Sequence, residues 1–332
     1  MRRPHEAHHS ALSPDKLQQP EKGFDGVHIS TDELYRLHAE ALRLTATSAD
    51  AVDSLFPGAY RAVFHGRGLA FDEVRAYQPG DDYRTIDWRV SARSGQLHTK
   101  LFHEEREKTL YLLLDSSPSM HFGSRIQFKW VLAARIAAVF GWLACENGDR
   151  IGGVVIGDSP GSRFQPAAAG ETALIRVFKL FAKPAAQTAA PTRLYDGLLH
   201  LRQAVRQQVQ ILLVSDFLSL DKETLGLLAY LSRHHDVAVA HIFDALETAL
   251  PEHGCYPVTN GTQVQLISSA HKTFLHSYKE IFTRRHQLLF NHCKKYRITF
   301  MSLRTDQPLI EGLRKAIRSG FSASVFRGKG HD

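Results

Sequence analysis

Cysteine, long apolar runs and clustered charge are what this chain has little of. It carries three cysteines, Cys145, Cys255 and Cys293. They are odd in number and far apart, so they form neither a disulfide framework nor a paired zinc pattern. A reducing, cytoplasmic setting is expected. No apolar run reaches the roughly 18–20 residues that span a bilayer, and the longest, "VLAARIAAVFGWLA", reads as a core helix. The opening "MRRPHEAHHSALSPDK" is basic but lacks the apolar stretch of a secretory leader. The formal net charge of +7 favours acidic partners. Lys and Arg are scattered, however, so charge alone does not point to nucleic acid.

What is present is a chain of 332 residues, enough for one large or two ordinary domains. Residues 1–25, rich in His, Pro and Gln without periodicity, read as a disordered tail. "STDELYRLHAEALRLTA" opens on a capping signal, Ser30 or Thr31 before Glu33, and sets Leu34, Leu37, Ala41 and Leu44 on one helical face. The stretch that follows is dense in Gly, Asp, Arg and aromatics with turn signals at "PGDD" and "SG". It predicts a small β-rich module, completing a region from 26 to 108. Trp88 in that module reads as core. Its arginines, Arg67, Arg75, Arg84, Arg89 and Arg93, interleave with Asp81, Asp82, Asp87, Glu104 and Glu105. Arg–carboxylate pairing is therefore expected, with nucleic-acid binding by the arginines as the alternative.

From Thr109 the pattern becomes regular. "TLYLLLD", "RIGGVVIGD", "VQILLVSDF", "DVAVAHIFD" and "ITFMSLRT" read as strands covered on both faces, separated by helical segments. One of these helices ends at Asn147-Gly148. "YPVTNGTQVQLIS" reads as a hairpin inserted near 255–269, with Asn260-Gly261 at its turn. Alternating strands and helices predict an α/β domain over 109–318: a doubly wound, mainly parallel sheet. Residues 319–332 form a C-terminal tail. In such sheets, ligands bind beyond the carboxyl ends of the strands, where Asp115 and Asp216 fall.

Several chemistries fail on their own requirements. The stretch from Asp115 to Met120 lacks the glycines of a G-x-S-x-G nucleophile turn. Gly152 and Gly157 have phosphate-loop spacing, but Asp158 stands where the lysine is needed, and a carboxylate repels phosphate. Gly66 and Gly68 lack the third glycine of a dinucleotide fingerprint. "HEAHH", His5 to His9, satisfies H-E-x-x-H, but it lies in a tail with no helix to hold both imidazoles on one face. A cation site survives. Asp115, Ser117 and Ser119 alternate just past a strand end, and hard divalent ions take oxygen ligands. Asp216 is placed to join them if the two strands are neighbours. Thr192, which opens the helix before that strand, is either a further oxygen donor or an N-cap. Asp158 and Asp244 are weaker candidates, Asp244 reading as a helix cap.

The order Asp115-x-Ser117-x-Ser119, then a threonine 77 positions on and an aspartate 24 beyond it, resembles the metal-ion-dependent adhesion site of von Willebrand factor A domains. "GRGLAFDEVRAYQPGDDYRTIDWRVSAR", "KLFHEERE", "LLLDS" with the residues up to Met120, "NGDRIG" and "VSDF", in that order, resemble the bacterial DUF58 family over roughly residues 50–318. One departure is "APT" where A domains commonly have a glycine before the threonine. The resemblance implies a von Willebrand A-like, Rossmann-type domain. It also implies one Mg²⁺ or Mn²⁺ held by Asp115, Ser117, Ser119, Thr192 and Asp216, and partnership with a MoxR-type AAA+ ATPase or other A-domain proteins. In such a site the direct ligands are mostly neutral hydroxyls, so the metal keeps a position for an acidic side chain from outside. The expected role is docking during assembly or maturation of other proteins, with no catalysis.

Overall fold

Continuous apolar strands need cover on both faces, and the fold supplies it. The computed structural model describes residues 26–46, 74–78, 83, 86, 88–100, 107–159, 161–183, 193–250, 254–259, 264–268 and 272–318. Both tails and Thr192 lie outside this set, as do Arg67, Arg84, Asp81, Asp82, Asp87, Glu104, Glu105 and the Asn260-Gly261 turn. In chain order the first elements are α1 (Thr31–Ala46), β1 (Val74–Ala76), α2 (Trp88–Ser94), β2 (His98–Lys100) and β3 (Thr109–Asp115). Next come α3 (Lys129–Glu146), β4 (Arg150–Ser159), β5 (Gly161–Ala169), α4 (Glu171–Ala182), α5 (Leu194–Ala204) and β6 (Gln210–Ser215). They are followed by α6 (Lys222–His234), β7 (Asp236–Phe243), α7 (Ala245–Thr248), β8 (Cys255–Thr259), β9 (Val264–Ser268), α8 (Lys272–Lys295), β10 (Thr299–Arg304) and α9 (Leu309–Arg318).

A six-stranded sheet runs β10-β7-β6-β3-β4-β5, parallel throughout except for β5, which pairs antiparallel with β4. Side chains on β3 alternate between two cores, as the period of two requires. Leu112 and Leu114 join Leu34, Ile136, Phe140, Phe178 and Leu313 on the α1, α3, α4 and α9 side. Tyr111 and Leu113 join Leu198, Leu228, Leu231 and Leu289 on the α5, α6 and α8 side. The structure is therefore α/β, with a mostly parallel sheet covered by helices on both faces.

α1 starts where its capping signal lies, with Ser30 Oγ accepting from Glu33 N at 3.1 Å. Its apolar face, Leu34, Leu37, Ala41 and Leu44, is buried in the first core. The Glu33 carboxylate reaches Arg135 on α3 at 2.7 Å, and Trp142 Nε1 donates to the Leu34 carbonyl at 3.1 Å. α3 ends at Asn147, followed by Gly148 at φ +76°. β8 and β9 pair antiparallel from Cys255↔Ser268 to Thr259↔Val264, the expected hairpin. Among the described residues no helix is long and apolar enough to cross a membrane.

One strand is unforeseen and two local expectations are corrected. β5 is a strand, although "GSRFQPAAA" shows no clean apolar alternation; an edge strand tolerates Pro166 because one side of its ladder is unpaired. "RLYDGLLHLRQAVRQQ" reads in the sequence as one amphipathic helix, but α5 stops at Ala204, short of "VRQQ", because Val205 is extended. The small module pairs β1 with β2 but encloses a helix, α2, and Trp88 is 68% exposed rather than core. Serine hydroxyls bond within this stretch. Ser91 Oγ accepts from His98 N, and Ser94 Oγ donates to the Val90 and Gln96 carbonyls.

Candidate metal centre

β3 and β6 are neighbours in register, Leu114 opposite Val214, so their carboxyl ends bring Asp115 beside Ser215 and Asp216. The two loops are tied directly. Ser215 Oγ donates to Asp115 Oδ2 at 2.6 Å and accepts from Phe217 N at 2.9 Å. Asp216 Oδ1 accepts from Leu218 N at 3.0 Å. These bonds close a turn in which Phe217 takes φ +51°. The left-handed region costs a bulky residue roughly 1–2 kcal/mol, offset here by complete burial of the Phe217 side chain.

The β3 loop sorts its serines. Ser116 turns toward β4, its amide and hydroxyl both donating to the Ile156 carbonyl. Ser117 N donates to Asp115 Oδ1 at 2.9 Å. The hydroxyls of Ser117 and Ser119, both half-buried, lie 3.1 Å apart. Gly157, at φ +96°, packs against this loop; a Cβ there would sit 2.9 Å from Ser117 N. The glycine that imitated a phosphate loop in the sequence therefore makes room for the serine loop.

Asp115 and Asp216 are 4% and 2% exposed. Burial pushes the Asp115 carboxyl above its usual range and the neighbouring Asp216 adds to the push, against bonds from Ser215 and Ser117. The Lys129 ammonium donates to Asp216 Oδ2 at 2.7 Å and to Glu247 Oε1 at 2.7 Å. Asp244 is the helix cap it reads as: it N-caps α7 and accepts from Leu246 N at 2.9 Å. The N-cap of α5 is Arg193, one residue beyond Thr192.

Four of the five sequence candidates, Asp115, Ser117, Ser119 and Asp216, thus fall on two adjoining loops. The residues fit a hard cation on one geometric count. An octahedral ion with oxygens at about 2.1 Å has neighbouring ligands about 3.0 Å apart, close to the Ser117–Ser119 spacing of 3.1 Å. Among the described residues no three His, Cys, Asp or Glu side chains converge as a metal cluster. Sequence reasoning missed Ser215, Lys129 and Glu247. Ser215 stands in "VSDF" itself, and a lysine opening an otherwise apolar helix was a signal, since a buried lysine needs partners.

A profile described as "Protein of unknown function DUF58" matches residues 73–286. This chain belongs to the DUF58 family. It is 30% identical over 218 residues to the uncharacterized protein Rv1480 of Mycobacterium tuberculosis, covering 65% of this chain and 68% of that one. It is 51% identical over 49 residues to the uncharacterized protein YeaD of Bacillus subtilis, covering 15% of this chain and 12% of that one. The crystal structure of the conserved hypothetical protein BatB from Bacteroides thetaiotaomicron superposes with TM-score 0.39 at 12% identity, over 64% of this chain and all of that one.

Proposed function

We propose that this DUF58 chain is a metal-dependent docking protein with a von Willebrand A-like site. One Mg²⁺ or Mn²⁺ would be held by the hydroxyls of Ser117 and Ser119, with Asp115 and Asp216 acting largely through water and Thr192 completing the set. The observation that carries this reading is the 2.6 Å bond from Ser215 to Asp115, which joins the two oxygen-bearing loops at adjacent strand ends. The ion would keep much of its charge because its nearest donors are neutral, leaving a position for a partner's Asp or Glu. Phe122 and Leu218, exposed on the two loops at 40% and 54%, offer apolar contact beside that position. The role is binding, with no bond made or broken, in the cytoplasm.

The partner expected from the family resemblance is a MoxR-type AAA+ ATPase acting in assembly or maturation of other proteins. The test is co-purification of the chain with such an ATPase from the same genome in Mg²⁺ and in EDTA. Retention in Mg²⁺ only, lost in Asp115→Ala, supports docking through the metal. Equal retention in EDTA overturns it.

A further inference from the structure

Lys129 opens α3, and its side chain is 1% exposed. Its ammonium is shared between Asp216 Oδ2 and Glu247 Oε1, each at 2.7 Å, with the Phe122 ring centroid 5.9 Å away. Neutral donors could have satisfied Asp216, as Ser124, Thr305 and Leu246 satisfy Asp244. The fold instead buries a full positive charge beside a site read as taking a cation. Three carboxyl groups, Asp115, Asp216 and Glu247, thus stand against the single ammonium of Lys129 in this part of the fold.

We propose that Lys129 is the residue that sets how tightly this site binds its metal; the inference rests on the docking reading. The ammonium holds one oxygen of Asp216 and weakens the negative field the ion meets. Glu247 draws the same ammonium toward α7 and partly restores that field. In a buried setting a fixed charge is felt strongly by a neighbouring divalent ion. The result is an ion that is held but exchangeable, as suits a site that docks and releases. Lys129 and Glu247 are positioning residues, neither of them a metal ligand.

The test is calorimetric titration of MgCl₂ into the full chain as wild type, Lys129→Met, Glu247→Gln and the double variant. Mg²⁺ should bind about tenfold more tightly to Lys129→Met and about tenfold more weakly to Glu247→Gln, with the double variant returning to within about threefold of wild type. A purely structural ion pair would weaken binding in both single variants by loosening the loops, and the double variant would not recover. Should Lys129→Met fail to fold, Glu247→Gln and the double variant, which keeps the net charge, still decide the matter. A wild type that binds Mg²⁺ while neither Glu247→Gln nor the Lys129 variants that fold change the affinity overturns the role of Lys129 and leaves docking standing. A wild type that takes up no Mg²⁺ overturns both.

Discussion

Asp115 and Asp244 occupy equivalent places, each buried where a parallel strand of the same sheet gives way to a loop, yet they are treated in opposite ways. Asp244 accepts from Ser124 N, Ser124 Oγ, Leu246 N and Thr305 Oγ1. Burial alone would raise its carboxyl, but these bonds outweigh burial and hold it below the usual range. Asp115 accepts from Ser215 and Ser117 and faces a second carboxylate, so burial and Asp216 together hold it above that range. A carboxylate that is fully served by its own chain is a structural part. One with fewer donors beside another of its kind is, on the docking reading proposed above, where a cation would sit. The two strand ends are thus alike in place and differ in how their carboxylates are served.

The largest test of that difference is Asp244→Ala. It should cost about 3–5 kcal/mol in denaturant unfolding, because four donors lose their acceptor at once. The loss should be the same with or without Mg²⁺; a Mg²⁺-dependent loss would erase the distinction between the two carboxylates.

Acid should produce the next largest effect. His241 and His286 touch through their Nδ1 atoms at 3.0 Å, among Phe243, Phe282 and Phe300. Burial, and then Arg285, lower the His286 pKa to about 4. Burial, followed by His286, Arg285 and Lys129, lowers that of His241 well below its usual value, against the pull of the Asp216 backbone. A histidine whose folded pKa is depressed stabilises above its unfolded value and loses that contribution as pH falls through the folded one. Roughly 3 kcal/mol should therefore disappear between pH 6.5 and 4 through His286, measured by urea unfolding at each pH. Under the same rule Asp244 loses its contribution as pH falls. Asp115, with a raised value, contributes at low pH and loses that contribution as pH rises through its folded pKa. Repeating the series in His286→Phe sharpens the contrast between the carboxylates by removing the larger histidine signal. A wild type unchanged from pH 6.5 to 4 would refute the histidine assignment.

Gly157→Ala should cost about 1–2 kcal/mol, since the residue sits at positive φ against Ser117. It should also weaken any Mg²⁺ response, whereas a Mg²⁺ response equal to wild type would separate Gly157 from the hydroxyl loop. Asp115→Asn is expected to be the mildest change. Without metal its stability should stay within about 1 kcal/mol of wild type, because the lost bonds are offset by lost repulsion. A cost comparable to Asp244→Ala would place Asp115 among the structural carboxylates.

Much of this architecture was legible because the apolar runs are unbroken. "TLYLLLD" and "QILLVS" have almost no residue able to face water, so they had to be central strands. β5 was hidden because "GSRFQPAAA" lacks that signature, and α2 because "WRVSARS" is only 7 residues long. At the site, Asp115, Ser117, Ser119 and Asp216 could be read as donors from their places at strand ends. Their meeting depended on β3 and β6 being neighbours, which local sequence does not state. Lys129 could be noticed as a lysine opening an apolar helix, but its partners could not, since they lie 87 and 118 positions away. Thr192 lies outside the described residues.

The most direct measurement is thermal unfolding of wild type and Asp115→Ala across a Mg²⁺ series. Binding to the folded chain should raise the wild-type transition, by about 2.7 kcal/mol of stability at a hundredfold excess over Kd, and leave Asp115→Ala unmoved. A wild type indifferent to Mg²⁺, or a variant that responds equally, would contradict a cation site at the ends of β3 and β6.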